Sequence, residues 1–337
     1  FPLVQTMRGL AALWVVLFHA EQGGHIPHLI AFLPPLFSDL MFKWGHFGVP
    51  VFFALSGFVI AHSLRDIELS PRTLGRFALR RSVRLDPPYW ASMALVVVMG
   101  YISARIKSEQ FSFPDPYNLL AHVLYLQVLL KEAELSPPYW TLTYEIQFYL
   151  FFATMLMLGA MQPWGRKGRA IVWLIMTALA FFSAAHFFAE LPSGIFLKLW
   201  ASFFTGVLGY KAVEHGWARV LGALLLLVML WSGDDFMLVS AATAQFLLVT
   251  SVLGLSQRPA VLPIGQWLGK ISYSLYLIHS PVTGAAAFIG HRLLGSSTLA
   301  DAATLAIVLA ACLLCSHIFW ALVEFPSQRW TKKIRVA

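Results

Sequence analysis

The sequence has few charged residues. Only 12% of its 337 residues are Asp, Glu, Lys or Arg, whereas a soluble domain has about 25%. It contains two cysteines, Cys312 and Cys315, and both lie in one apolar run, which indicates helix packing rather than a disulfide framework. These shortages exclude a soluble enzyme, a disordered chain and a small secreted domain held by disulfides.

Several enzyme signatures are also missing. The sequence has no glycine-rich phosphate loop, no Cys/His zinc spacing and no nucleophile elbow, so we expect no metal site. Its net charge of +8 would suggest nucleic acid as a partner, but that function needs a basic surface interleaved with exposed aromatic residues. No such pattern is visible, and we predict no nucleic-acid partner.

Long apolar runs dominate what is present. Hydrophobic residues make up 58% of the chain, and a transmembrane helix needs about 20 of them in succession. We therefore predict an all-α integral membrane protein, because helices satisfy their own backbone polar groups in lipid. The ten predicted spans are 3–20, 47–64, 88–103, 141–161, 170–189, 194–210, 217–231, 236–255, 271–290 and 299–322. A further apolar stretch, 122–130, is too short to span and is predicted to be interfacial or re-entrant.

The basic residues give the bundle an orientation. Most of the 24 Lys and Arg residues fall in the loops that lie inside when the N-terminus is inside, as the positive-inside rule requires. This predicts ten transmembrane helices with both termini cytoplasmic. Residues 1–337 are expected to form a single transmembrane domain with no appended soluble domain. The sequence leaves the oligomeric state open.

Ionisable residues inside the spans are the first candidate site residues, because such groups are costly in a bilayer. Arg8 and His19 share a face of the first span, about 16 Å apart along its axis. Glu145 lies near the start of the fourth span, at a depth predicted to match His19, so the two form a candidate acid–base pair. The alternatives are that Arg8 and His19 are interfacial and that Glu145 is favoured by the helix dipole.

Two further spans contain polar groups. In the ninth span, Tyr273, Tyr276 and His279 follow one another at intervals of three and share a face. A structural His–Tyr hydrogen bond is the alternative to a role in the site. In the second span, Ser56 next to Gly57 either marks a point of close helix packing or places a hydroxyl in the site.

The loop between the second and third predicted spans is the most basic. Arginines spaced i, i+4 and i, i+3 would cluster on a short helix; they are Arg76 with Arg80 and Arg81 with Arg84. Guanidinium groups bind phosphate bidentately, so one interpretation is a cytoplasmic site for a phosphorylated ligand. The alternative, which the composition alone favours, is topogenic charge combined with binding of anionic membrane lipids.

Five motifs now occur in an order that resembles a known family. The segments are Arg8–Ala12 followed by His19, Phe52–Phe58, Arg81 with Arg84, Tyr139–Tyr149 and Ile271–His279. The chain resembles the bacterial acyltransferase family 3 of integral membrane proteins, which includes O-acetyltransferases of surface polysaccharides and lipo-oligosaccharides. Thr141 stands where many relatives have serine, and this departure affects no catalytic position.

The resemblance implies an acyl-CoA donor, typically acetyl-CoA, on the cytoplasmic side of the bacterial inner membrane. It also implies a hydroxyl acceptor on a carbohydrate or lipid-linked saccharide. By match to the motifs, His19 is the catalytic histidine, and Arg8, Arg81 and Arg84 contact the donor, to which we add Arg80. Remaining substrate or oxyanion candidates are Ser56, Trp140, Tyr144, Tyr149, Tyr273, Tyr276 and His279.

These residues predict a mechanism in which His19, oriented by Glu145, takes the proton of the acceptor hydroxyl as it attacks the thioester. An acetyl-histidine intermediate is an open alternative. A different class of function, a proton-coupled secondary transporter, would also use intramembrane ionisable residues. Transporters tend to have internal repeats and paired broken helices, and the sequence has no repeat.

Overall fold

The protein is an all-helical bundle in the computed structural model, which describes residues 1–67, 70–161, 165–255 and 263–334. The α-helices are α1 (Pro2–Gln22), α2 (Pro27–Phe32), α3 (Pro35–Met41), α4 (Gly48–Ser63), α5 (Pro71–Lys107), α6 (Pro116–Val123), α7 (Trp140–Ala160), α8 (Gly165–Ala184), α9 (Trp200–Lys211), α10 (Gly216–Ser232), α11 (Asp235–Val252), α12 (Pro263–Leu294), α13 (Thr298–Phe319) and α14 (Phe325–Thr331). Short 3-10 helices cover Lys43–Phe47, Pro137–Tyr139 and Phe196–Leu199. A π-helical turn, Trp320–Glu324, connects α13 to α14.

Seven helical segments of the described chain are long and apolar enough to cross a membrane. They are Pro2–Gln22, Pro35–Ser63, Pro71–Lys107, Pro137–Ala160, Gly165–Ala184, Asp235–Val252 and Thr298–Thr331. The other three predicted spans fall on α9, α10 and α12. Helices α9 and α10 have 12 and 17 residues, and α12 has 32 but is less apolar because of its serines, tyrosines and histidines. The prediction of a helical multi-pass membrane protein is thus confirmed in this coarser form.

The predicted basic loop before the third span is not a separate element. The arginines lie on α5, which runs unbroken for 37 residues from the cluster into the predicted span. Ser70 explains the start of α5, because it forms a capping box with Thr73 just before Pro71. Two other basic residues of the predicted cytoplasmic loops, Arg258 and Arg335, lie outside the described residues.

Glycines allow the central helices to approach closely. A Cβ at Gly9 of α1 would lie 2.5 Å from the Cβ of Leu268 on α12, and one at Gly57 of α4 would lie 1.9 Å from the carbonyl oxygen of Phe203 on α9. A Cβ at Gly48 of α4 would lie 2.6 Å from the carbonyl oxygen of Ala11 on α1, so α1 packs between α4 and α12. On α13, Cys312 is buried and Cys315 is half-buried, and both are free thiols, as the sequence predicted.

The connection between α5 and α7 folds into the bundle. Its apolar stretch 122–130 leaves helix α6 after Val123 and continues as turns. His122, Gln127 and Tyr139 are completely buried, and the Tyr139 hydroxyl donates to Ser92 Oγ of α5 at 2.8 Å. The first turn of α7 is consequently anchored below the surface of the bundle.

Candidate active site

A cavity of about 90 Å³ lies between α1, α4, α5, α7 and α12. We call it the arginine cavity, since its polar lining includes Arg8, Ser56, Arg81, Arg84, Glu145 and Tyr149. At about 10–15 Å³ of such volume per water, it has room for roughly six to nine waters. It can therefore admit a thin chain or a small group, but not a nucleotide.

The three guanidinium groups of this cavity have no hydrogen-bonding partner within the described part of the protein. Neither a hydrogen bond nor an ion pair involves the side chain of Arg8, Arg81 or Arg84 there. The guanidinium of Arg81 stacks on the ring of Tyr149, with 4.7 Å from its Cζ to the ring centroid. Because Arg carries five N–H donors, the cavity presents many unused donors and an excess of positive charge.

Glu145 is the carboxylate of the arginine cavity. It accepts a hydrogen bond from Ser56 Oγ at 2.7 Å and another from the Tyr149 hydroxyl. It also interacts electrostatically with Arg8 and Arg81. The hydroxyl hydrogens of Ser56 and Tyr149 thus point to Glu145, and neither is free to donate to a ligand in this arrangement.

The predicted pair of His19 and Glu145 does not form among the described residues. His19 Nδ1 instead lies 3.1 Å from Gln22 Oε1, and its ring centroid is 5.0 Å from that of His279. The physical reason is the packing of α7. Glu145 faces the arginine cavity together with Arg8 and Arg81, and His19 does not line that cavity.

Helix α12 links the arginine cavity to His19. Tyr273 and Tyr276 both line the cavity. The Tyr273 hydroxyl donates to the Leu85 carbonyl oxygen at 3.0 Å, and the Tyr276 hydroxyl lies 2.8 Å from Thr141 Oγ1. His279, one turn further along, is completely buried. Of the face predicted in the ninth span, Tyr273 and Tyr276 therefore line the cavity, whereas His279 lies beside His19.

The other candidates lie outside the cavity lining. Tyr144 accepts a hydrogen bond from the backbone N–H of Gly194 at 2.9 Å, where Gly194 has a φ of +90°. Trp140 packs its ring against Tyr144, with centroids 5.8 Å apart. The side chain of Arg80 is on the exposed side of α5. Tyr144 and Trp140 thus hold the connection before α9 in place.

One buried carboxylate was missed by the sequence analysis. Glu324 is 2% exposed, and it accepts hydrogen bonds from the Ser274 Oγ at 2.6 Å and from Gln328 Nε2 at 2.8 Å. It interacts electrostatically with Arg8 and Arg84. The sequence signal was an acidic residue that follows the longest apolar run. In the structure this residue ends the π-helical turn Trp320–Glu324, and such turns are often found at functional sites.

In the described ranges, no group of three or more His, Cys, Asp or Glu side chains is arranged to hold a metal ion.

Comparison with known proteins gives a family. A family model described as "Acyltransferase domain" matches residues 4–322. ORF330 of Acidianus two-tailed virus, whose name describes an acetyltransferase, is 26% identical over 301 residues, which is 82% of each chain. BcsY of Komagataeibacter xylinus, whose name describes a membrane-bound transacylase, is 26% identical over 307 residues, covering 82% of this chain and 72% of BcsY. No solved structure matches. The chain thus belongs to this family of membrane acyltransferases, the one that its five motifs resemble.

Proposed function

We propose that the protein is an O-acyltransferase that moves an acetyl or other acyl group from acyl-CoA to a hydroxyl of a carbohydrate or lipid-linked saccharide. The observation that carries this proposal is the set of three guanidinium groups in the arginine cavity that form no hydrogen bond with any described residue. Buried polar groups are almost always hydrogen-bonded. Unused donors that face a cavity therefore favour an anionic ligand that supplies the missing acceptors.

Acyl-CoA has a matching shape and charge. Its phosphates accept strong charge-assisted hydrogen bonds from guanidinium groups, while its pantetheine arm is thin enough for a cavity of about 90 Å³. Arg81 and Arg84 are spaced i, i+3 on α5 and so lie on one side of it. We assign the phosphates to these two residues at the cytoplasmic entrance, with Arg80 on the exposed side of α5 as an outer contact. Arg8 then lies beside the pantetheine arm of the bound acyl-CoA.

The acceptor is assigned to the side of His19. The acceptor oxygen attacks the thioester carbonyl carbon, the new C–O ester bond forms and the C–S bond breaks. His19 Nε2 takes the hydroxyl proton and passes it to the departing thiolate, so that free thiol is released.

The arginine cavity and His19 are separated by aromatic side chains. Phe52 and Tyr276 both line the cavity, with their ring centroids 5.4 Å apart, and the Tyr276 ring centroid is 6.2 Å from that of His279. The thioester must pass this point to reach His19. We therefore propose that the Tyr276–Thr141 hydrogen bond breaks when the donor arm enters.

The membrane setting completes the proposal. We propose ten crossings with both termini cytoplasmic, in the bacterial cytoplasmic membrane. Arg81 and Arg84 then face the side where acyl-CoA is made, and His19 lies toward the outer side. The acyl group would thus cross the bilayer without any movement of the charged nucleotide through lipid. Such movement is costly, since even one charged side chain at the centre of a bilayer costs about 2.5–3.5 kcal/mol on insertion scales.

Thermal stabilisation by CoA tests the donor assignment. We expect CoA to raise the melting temperature of the protein in detergent, because ligand binding to the folded state stabilises it by mass action. The variants Arg81→Ala and Arg84→Ala should each weaken CoA binding about 10-fold to 100-fold, as expected for loss of a charge-assisted hydrogen bond worth about 1.5–3 kcal/mol.

Arg72→Ala is the matched control, because Arg72 is exposed on the same helix and outside the cavity lining. His19→Ala should bind CoA like the wild type but transfer no acetyl group. A wild-type protein that CoA does not stabilise, but that a free sugar does, would refute the proposal and favour the transporter.

A further inference from the structure

His279 has one ring nitrogen whose protonation state is fixed by the fold. Its Nδ1 lies 3.0 Å from the carbonyl oxygen of Leu275 and 2.9 Å from that of Tyr276. Carbonyl oxygens only accept hydrogen bonds, so Nδ1 carries the proton in this arrangement. The other nitrogen, Nε2, is therefore a bare hydrogen-bond acceptor in the neutral ring.

No described residue donates a hydrogen bond to this acceptor. His279 is completely buried, and its Nε2 has no hydrogen-bond partner among the described residues. The neighbouring polar groups are engaged elsewhere, since the Tyr276 hydroxyl is paired with Thr141 and the Cys312 thiol with the His279 carbonyl oxygen. A buried acceptor without a partner costs about 1–3 kcal/mol, unless a bound molecule supplies the hydrogen.

His19 repeats the same arrangement. Its Nδ1 faces Gln22 Oε1 at 3.1 Å, which makes Nδ1 the donor and leaves Nε2 as an acceptor. The ring centroids of His19 and His279 are 5.0 Å apart, and the ring planes make an angle of 37°. We call these two residues the histidine pair. It brings two imidazole rings, each with an acceptor nitrogen, next to each other.

We infer that the histidine pair is a subsite for two neighbouring hydroxyl groups of the acceptor. A hydroxyl has one hydrogen and can donate to one nitrogen, so two adjacent acceptors call for two donors. The reacting hydroxyl donates to His19 Nε2, and the adjacent hydroxyl donates to His279 Nε2 and orients the molecule. The inference rests on the proposed function and narrows its acceptor to a vicinal diol.

Only one of the two hydroxyls changes in the reaction. The hydroxyl on His19 loses its proton to Nε2 and gains the acyl carbon, as described above. The hydroxyl on His279 keeps its proton and exchanges no bond. His279 thus binds the acceptor without taking part in proton transfer, and its loss should affect acceptor selection and leave donor binding unchanged.

Two model acceptors separate this role from general packing. Vicinal cyclohexanediol offers both hydroxyls, whereas its monomethyl ether has nearly the same shape and lacks the second donor. With acetyl-CoA and the intact protein in detergent, we expect the wild type to have a kcat/KM for the diol about 2-fold to 13-fold above that for the ether. This is the range for one hydrogen bond of about 0.5–1.5 kcal/mol, after correction for the two equivalent hydroxyls of the diol.

Two substitutions complete the experiment. In His279→Asn the amide nitrogen can replace Nδ1 and keep the bonds to Leu275 and Tyr276, but no group replaces Nε2. We expect this variant to lose the preference for the diol and to keep its CoA-induced thermal shift. His279→Gln places an amide oxygen near the former Nε2 and should restore part of the preference.

The outcomes distinguish the inference from the proposed function. A wild type that uses both alcohols equally, or a His279→Asn variant that keeps the diol preference, overturns the inference and leaves the acyltransferase proposal intact. Transfer to neither alcohol, with a clear CoA-induced thermal shift, also overturns the inference. Absence of both transfer and thermal shift overturns the proposed function.

Discussion

Replacing Gly57 by alanine should destabilise the contact between α4 and α9. The methyl group would lie 1.9 Å from the carbonyl oxygen of Phe203, and Gly206 faces the Ala54 carbonyl oxygen at the same distance. Restoring a separation of 3.0 Å requires the two backbones to move apart by about 1.1 Å. Overpacking of this kind costs about 1–3 kcal/mol.

The shift should also reach the arginine cavity. Gly57 directly follows Ser56, whose Oγ donates to Glu145 Oε1 at 2.7 Å. Movement of α4 away from α9 changes the position of this hydroxyl relative to α7. We therefore expect acetyl transfer to fall more than the loss of folded protein explains.

Thermal unfolding in detergent, followed by tryptophan fluorescence, measures the effect on stability. At about 2–4 °C per kcal/mol, Gly57→Ala should lower the melting temperature by about 2–12 °C. The matched control is Gly75→Ala on α5, where an added Cβ meets no atom within 4 Å. Because alanine is favoured over glycine in a helix by about 1 kcal/mol, this control should melt at or slightly above the wild-type temperature. Equal melting temperatures for both variants and the wild type would refute the packing argument.

Two further predictions concern buried polar groups. Glu324→Ala removes the acceptor of the Ser274 Oγ hydrogen bond and should cost about 1.5–3 kcal/mol of stability. Glu324→Gln keeps an acceptor oxygen and should cost less. Equal losses of melting temperature in the two variants would contradict this role of Glu324. In the connection between α1 and α2, burial and the neighbouring His291 lower the pKa of His25 below its ordinary 6.5. The folded state therefore favours the neutral form of His25. This contribution to stability is fully present above the ordinary pKa of the unfolded chain, and it is lost as the pH falls through the lower pKa of the folded state. The melting temperature of His25→Asn should accordingly fall less than that of the wild type between about pH 7.5 and about pH 5.5, and a parallel fall would show that His25 does not contribute.

Much of the fold was predictable, because its signals are local. Each predicted span overlaps a helix, since an apolar run of sufficient length must satisfy its backbone hydrogen bonds within itself in lipid. The positions of Arg8, Ser56, Arg81, Arg84 and Glu145 around one cavity agree with the motifs that singled these residues out. The motifs could indicate that they belong together, but not how they are arranged.

The neighbours of Glu145 were not predictable from the span pattern. The start of α7 depends on how the preceding segment packs, and Tyr139 is buried through its contact with Ser92. The same limit applies to Glu324, which accepts hydrogen bonds from Ser274, 50 residues away in the chain. Neither contact leaves a local pattern in the sequence.

The composition and the apolar runs were thus sufficient for the helical class and the membrane setting, because the cost of exposing polar backbone to lipid acts on each segment separately. The motifs were sufficient for the family. Which polar groups meet was decided by packing between distant segments: Ser56 and Glu145 are 89 residues apart, and His19 meets His279 rather than the carboxylate. Side chains on different helices acquire neighbours only when the whole bundle fixes the depth and rotation of each helix.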